Sequence, residues 1–148
     1  LIAEMMDGTY SFVAFIERRV RRIMPALLVM LLCTVPFAWY SLLPAAVEDY
    51  AGSLIAALFV SANIWFWQSD GYWAEPSAFK PLLHTWSLSV EEQFYVLFPL
   101  LLWLGWRVAR RYVSVMFCLL GIGSLLLAQL WGKHHPSANF FLLPTRGW

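Results

Sequence analysis

Four apolar segments without a formal charge constrain the fold of this chain more than any other feature. The three longest contain 25, 20 and 21 residues and cover residues 23–47, 50–69 and 112–132. A helix needs about 20 apolar residues to cross the roughly 30 Å hydrocarbon core of a bilayer. These three segments are therefore long enough to span a membrane.

The composition supports the same class of protein. Of 148 residues, 61% are hydrophobic and only 13% are charged, whereas a soluble domain carries about 25% charged residues. This excludes intrinsic disorder, and a net charge of +1 provides no field that would attract nucleic acid. We expect an incomplete all-α polytopic membrane bundle with about three full spans plus a re-entrant or fourth spanning segment. Residues 1–148 would form part of one transmembrane domain.

The fourth uncharged segment has only 14 residues and reaches spanning length if its helix begins near Thr85. Ser89 and Glu92, however, have the spacing of a capping box, which predicts a helix start at Ser89 instead. A continuous helix that began before His84 would place His84 and Glu91 on one face, about 10 Å apart along the axis. The cap and the continuous helix exclude each other, so the sequence leaves this point open.

Prolines and polar stretches give further boundaries. We expect Pro25 to lie just inside the start of the first span and Pro44 to close it. Residues 68–81 and residues 133–139 combine prolines with polar side chains. Both stretches are therefore predicted to be loops outside the hydrocarbon.

The arginines set the expected orientation, because Lys and Arg are enriched in cytoplasmic loops. If the arginines of residues 18–22 and of residues 107–111 are both cytoplasmic, residues 50–69 must cross the membrane an even number of times. A re-entrant segment satisfies this condition, and we prefer that layout. The competing layout lets residues 50–69 span fully and places residues 107–111 outside.

The arginine run is also a candidate anion site. On a helix, Arg18 and Arg22 lie one turn apart on the same face, and arginine side chains bind phosphate in a bidentate manner. Glu17 is positioned to pair with Arg21. The simpler interpretation of the run is a topology anchor at the cytoplasmic surface.

Other polar residues near the apolar segments are weaker candidates. Glu91 is an ionisable residue at membrane depth, which marks it as a candidate for function. His84 alone is more often structural than catalytic, and a lone Arg146 before an apolar stretch is typical of a snorkelling anchor. We find no metal-binding spacing; the pair His134 and His135 is too weak a signal.

Three blocks of sequence resemble one known family. Residues 15–27 read FIERRVRRIMPAL, residues 82–95 read LLHTWSLSVEEQFY, and residues 141–148 read FLLPTRGW. They resemble the F-Y-x-R-R-x-x-R-I-x-P-A-L, L-L-H-T-W-S-L-x-x-E-x-Q-F-Y and P-T-R-x-W-E-L patterns of acyltransferase family 3, the O-antigen and peptidoglycan O-acetyltransferase type. Two shorter matches, GYW and SAN, cover residues 71–73 and 61–63. Ile16 departs from the usual Tyr.

The resemblance implies a multi-pass enzyme of the bacterial inner membrane. It would transfer an acyl group, commonly acetyl, from cytoplasmic acyl-CoA to a hydroxyl of an envelope glycan, without a metal. In this resemblance, Glu91 and His84 would be catalytic. The acyl-CoA would be bound by Arg18, Arg19 and Arg22, and the substrate by Arg146. Partners would be the bilayer, the glycan and a fused or separate periplasmic hydrolase-like domain.

The chain also resembles only an internal part of that family's membrane domain. The family's helix with an Arg and a downstream His, implicated in catalysis, would precede Leu1. We therefore expect these 148 residues alone to be inactive. Two alternatives remain open on sequence grounds: a fragment of a transporter or channel with a polar path through the membrane, and a purely structural membrane segment.

Overall fold

The computed structural model describes Glu4, residues 10–70 and residues 80–147, and the secondary structure of this part of the chain is helical. Within residues 10–70 and 80–147, six α-helices follow one another: α1 Phe12–Ser41, α2 Pro44–Leu58, α3 Ala62–Gln68, α4 Thr85–Ala109, α5 Val113–His134 and α6 Pro136–Phe141. Short 3-10 helices, Arg110–Tyr112 and Leu143–Thr145, follow α4 and α6.

Helix α1 begins well before the apolar segment that it contains. Ser11 caps it, accepting a hydrogen bond from the Ala14 amide at 3.4 Å, and the helix continues through both Pro25 and Pro36. The expected start is therefore wrong, because Pro25 lies inside the helix. The helix does end shortly before Pro44, at Ser41, and Pro44 is the first residue of α2. Proline suits a first helical position because the amide hydrogen it lacks would be unpaired there.

Helices α1 and α2 form an antiparallel hairpin. Near the connection, the hydroxyls of Thr34 and Tyr50 share a hydrogen bond of 2.8 Å. Further from it, Ala57 near the end of α2 lines a small cavity together with Val20 and Leu27 of α1. Helix α2 therefore runs back towards the arginine-rich end of α1.

Residues 50–69 do not form one straight helix. The chain breaks between α2 and α3, and Val60 at the break has a φ of 56°. Helix α3 then folds back along α2, with the Trp65 ring so close to Gly52 that a Cβ on Gly52 would overlap it. Residues 50–69 therefore do not form one continuous helix, and the helix–turn–helix hairpin has the shape that a re-entrant segment requires.

Helices α4 and α5 form a second antiparallel hairpin. The rings of Phe98 and Phe117 are 5.0 Å apart, and Gly105 lies against Met116. Helix α4 starts at Thr85, which confirms the longer of the two predicted helices. The capping box is therefore wrong: Ser89 lies inside α4, where its hydroxyl accepts a hydrogen bond from the Ala62 amide at 3.2 Å.

The second predicted loop is mostly helical. Helix α5 continues through His134, His135 breaks it, and α6 begins at Pro136. Of the first predicted loop, residues 71–79 lie outside the described residues. The GYW match at residues 71–73 lies there too, as does Trp148 of the last block.

Two helices in the described part of the chain are long and apolar enough to cross a membrane. They are Phe12–Ser41 and Arg110–His134, and only 17% and 11% of their most apolar windows are buried. Core helices of soluble proteins are mostly buried, so the exposed apolar side chains, such as Leu32 and Leu130, favour contact with lipid. The structure confirms the predicted all-helical class, and it contains two candidate spans of the three or four that we expected.

Candidate functional site

The turn between α2 and α3 is held by polar side chains of α4. Gln93 Nε2 donates hydrogen bonds of 2.9 Å to the carbonyl oxygen of Val60 and to Asn63 Oδ1. In return, Asn63 Nδ2 donates to Gln93 Oε1 at 3.3 Å and to the carbonyl oxygen of Phe141 at 3.2 Å. Asn63 is buried, where an unpaired amide would be costly. The two amides therefore fix the turn against α4 and α6.

This pair was not predicted from the sequence. Asn63 was noted only as part of the SAN match, and Gln93 only as part of the second block. No local pattern links residues so far apart along the chain. One feature of the sequence did indicate the pair. Two apolar segments each contain an amide side chain, and amides in buried positions need hydrogen-bond partners.

Arg19 joins α1 to α4 through an ion pair. Its Nη2 lies 3.3 Å from Glu92 Oε1 and 4.0 Å from Glu91 Oε1. The guanidinium also lies over the Tyr95 ring, 3.2 Å from its centroid. The side chains of Arg19 and Glu92 are only 19% and 16% exposed. Arg19 therefore neutralises a partly buried carboxylate and positions α4 relative to α1.

The other arginines of the run face outwards. Arg18 pairs with Glu4 at 3.4 Å and Arg21 with Glu17 at 2.7 Å, both at exposed positions; the second pair confirms the prediction. Arg22 is exposed and forms no ion pair with the described residues. Arg18 and Arg22 thus form an exposed cationic face, from which Arg19 is turned away.

Tyr10, just before α1, lies near enough to Arg18 for the guanidinium charge to act on the pKa of its hydroxyl. Burial raises the pKa of its hydroxyl above the usual 10.0, and the Glu4 carboxylate acts in the same direction, whereas Arg18 opposes them. A hydroxyl with a raised pKa stays protonated at neutral pH. Tyr10 is therefore not a candidate general base.

Glu91, whose Oε1 lies 4.0 Å from Arg19 Nη2, also lines an open groove of about 330 Å³ beside α4. Ser87 and Tyr95 of α4 line this Glu91 groove, and Arg146 and Gly147 line it from the segment after α6. The structure thus brings together one candidate carboxylate and one candidate arginine that are far apart in sequence. Either side chain can contact a molecule in the groove.

Arg146 is held in place by contacts with Trp86 of α4 and Phe140 of α6. Its Nε donates to the carbonyl oxygen of Phe140 at 2.9 Å. Its guanidinium lies 4.8 Å from the centroid of the Trp86 ring and 5.0 Å from that of Phe140. Cation–π contacts of this kind orient an arginine side chain, and they hold Arg146 at the edge of the Glu91 groove.

The two adjacent glutamates have different environments. The Glu91 side chain is 58% exposed and the Glu92 side chain 16%. Glu92 is committed to Arg19, while Glu91 keeps an open side towards the groove. His84 is exposed at the N-cap of α4 and is not among the described residues that line the groove.

The described residues contain no group of three or more His, Cys, Asp or Glu side chains that could hold a metal ion. The polar groups of the groove are instead a carboxylate, a guanidinium and two hydroxyl-bearing side chains, Glu91, Arg146, Ser87 and Tyr95. A carboxylate can accept a proton from an organic substrate, and a guanidinium can donate hydrogen bonds to its oxygen atoms.

Curated relatives of the chain include O-acetyltransferases. It is 32% identical over 131 residues to a candidate O-acetyltransferase of Staphylococcus aureus strain COL, which covers 88% of this chain and 22% of the relative. It is 38% identical over 88 residues to the O-acetyltransferase OatA of S. aureus strain NCTC 8325, covering 60% and 14%. A protein of Haemophilus influenzae is 30% identical over 147 residues, covering 95% and 56%.

The chain spans 22% of the length of the first relatives that it matches. No solved structure matches it. The family model described as an acyltransferase domain matches residues 5–146, which is nearly the whole chain and includes all of the three blocks except residues 147–148. The chain therefore belongs to acyltransferase family 3, whose members are membrane proteins.

Proposed function

We propose that the full-length protein is a multi-pass O-acyltransferase of the bacterial inner membrane. It takes an acyl group from cytoplasmic acyl-CoA and transfers it to a hydroxyl of an envelope glycan. The observation that carries this proposal is the Glu91 groove, because it places an exposed carboxylate and a fixed arginine around one open space. The names of the relatives, O-acetyltransferases, support the class of reaction.

The groove residues have complementary roles in this reaction. Glu91 accepts the proton of the acceptor hydroxyl as its oxygen attacks the thioester carbonyl carbon. Arg146 stabilises the negative charge that develops on the carbonyl oxygen. The C–S bond then breaks, and the proton leaves with the CoA sulfur. Arg146 suits this role because the aromatic rings fix its position before the reaction.

The exposed face of α1 binds the donor. Arg18 and Arg22 lie one helical turn apart at exposed positions, so both can reach the phosphates of coenzyme A. We do not assign Arg19 to this role, because its guanidinium contacts Glu92 and Tyr95. In this proposal Arg19 is a positioning residue, and His84 has no role in the groove.

The test uses full-length protein in inverted membrane vesicles supplied with labelled acetyl-CoA. We expect transfer of label to glycan, and an increase of about tenfold in the KM for acetyl-CoA in R18A/R22A, since two exposed charge-assisted contacts are lost. The matched control R110A/R111A removes two exposed arginines elsewhere and should leave KM unchanged. Failure to transfer label from any acyl-CoA, with normal expression, would contradict the proposal and favour a transporter.

A further inference from the structure

An apolar cleft of about 450 Å³ lies between α4 and α5. Leu97, Phe98 and Leu101 of α4 line one wall, and Phe117 and Leu120 of α5 line the other. Its volume lies in the range of small-molecule sites. The function proposed above does not use this cleft.

The apolar cleft adjoins the Glu91 groove. Phe94, Leu143 and Gly147 line both spaces. The segment that separates them is anchored to α5, because Ser124 Oγ donates to the carbonyl oxygen of Pro144 at 2.6 Å and accepts from the Gly147 amide at 3.0 Å. A ligand that passes between Phe94 and this segment would place a polar group beside Glu91 and an apolar chain between the helices.

We infer that the cleft binds the hydrocarbon chain of the acyl donor, so that the enzyme accepts acyl groups longer than acetyl. This inference rests on the proposed function. The thioester carbonyl would lie in the groove, and the chain would extend past Phe94 along α4. The balance of the reaction is unchanged: the C–O bond forms, the C–S bond breaks and the hydroxyl proton goes to the thiol.

Charge distinguishes this occupant from a lipid with an anionic head group. The Glu91 groove contributes one carboxylate and one guanidinium, Glu91 and Arg146. Arg19 adds a positive charge 4.0 Å from Glu91, which Glu92 balances at 3.3 Å. The four side chains therefore carry no surplus of positive charge, whereas a phosphate or pyrophosphate head group would need one. A thioester carbonyl is uncharged and requires only one donor, which Arg146 supplies.

Two glycines of α5 allow a matched test. Gly121 lines the cleft, and a Cβ there would meet no atom within 4 Å. Gly123 also has open space at its Cβ but does not line the cleft. Gly121→Leu fills the cleft, whereas Gly123→Leu makes the same chemical change, with the same gain in helix propensity, on another face.

The first measurement is kcat/KM of the full-length protein for acetyl-, butyryl-, hexanoyl- and octanoyl-CoA. Burial of each methylene should raise the wild-type value by about fourfold while the cleft has room. In Gly121→Leu the ratio of the octanoyl to the acetyl value should fall at least about tenfold, and in Gly123→Leu it should match wild type. Transfer of acetyl but of no longer chain would overturn this inference while leaving the proposed function intact.

A second readout does not depend on turnover. An octanoyl-CoA with a terminal diazirine, irradiated in the same membranes, should label residues 97–101 or 117–120. The labelling should be lost in Gly121→Leu and kept in Gly123→Leu. Labelling confined to other parts of the protein would overturn the inference. Correct labelling without acyl transfer from any donor would support the cleft as a chain-binding site and contradict the proposed function.

Discussion

Arg19 Nη2 lies 3.3 Å from Glu92 Oε1, across 73 positions of sequence. The contact joins the two blocks by which the chain most resembles its family. It also separates the roles of neighbouring residues, because Arg19 turns inwards while Arg18 and Arg22 stay exposed, and Glu92 is covered while Glu91 stays open. The proposed assignment of functional residues follows from this division.

Loss of the Arg19 charge should destabilise the protein. In Arg19→Met the Glu92 carboxylate keeps its partly buried position without a partner, which we expect to cost about 1–3 kcal/mol of unfolding free energy. The matched control is Arg18→Met, whose exposed pair with Glu4 should contribute less than about 1 kcal/mol. Thermal unfolding of the full-length protein in detergent measures both. Equal stability of the two variants would contradict the internal role of Arg19.

Gln93→Leu should destabilise the turn of the α2–α3 hairpin. The substitution removes the partner of the Val60 carbonyl and leaves the Asn63 amide with its bond to the Phe141 carbonyl alone, at a cost of about 2 kcal/mol. Gln129→Leu is the control, because Gln129 is an exposed residue of α5 and the chemical change is identical. A Gln93 variant as stable as the Gln129 variant would show that the amide pair does not hold the turn.

Val60 offers a test of the backbone at the same turn. A β-branched residue at a φ of 56° is strained, and glycine is not. Val60→Gly and Val60→Ala both remove the two γ-methyl groups and differ only in the Cβ, so their difference reports how well the backbone conformation tolerates a Cβ. We expect the Gly variant to be more stable than the Ala variant by about 1 kcal/mol, measured by thermal unfolding. The opposite order, usual in regular helices, would exclude the left-handed conformation.

The sequence predicted the helices better than their partners. The helical class, the start of α4 near Thr85 and the Glu17–Arg21 pair depend on local spacing and apolar length, and the structure confirms them. The direction of Arg19 depends on where α4 packs against α1, which no local pattern contains. The first uncharged residue was also a poor guide to the start of α1. The helix begins at Phe12 and includes the charged residues 17–22 that precede the apolar segment.

The break at Val60 could not be predicted for a related reason. Residues 59–61 contain neither glycine nor proline, so nothing local interrupts the helix. The break forms because Ser89 and Gln93 of α4 bind the freed backbone groups of Ala62 and Val60. At residues 133–139 the error was the reverse: Pro136 suggested a loop, whereas it starts α6, where proline is favourable.

The most direct test of the account is the rate of acyl transfer by Glu91→Gln in the full-length protein. Gln keeps the size of the side chain but cannot accept the hydroxyl proton, so we predict a fall in kcat of at least about 100-fold with unchanged thermal stability. The matched control is Glu48→Gln, which changes an exposed carboxylate of α2 and should transfer at the wild-type rate. Wild-type kcat in Glu91→Gln would contradict the assignment of the Glu91 groove as the catalytic site.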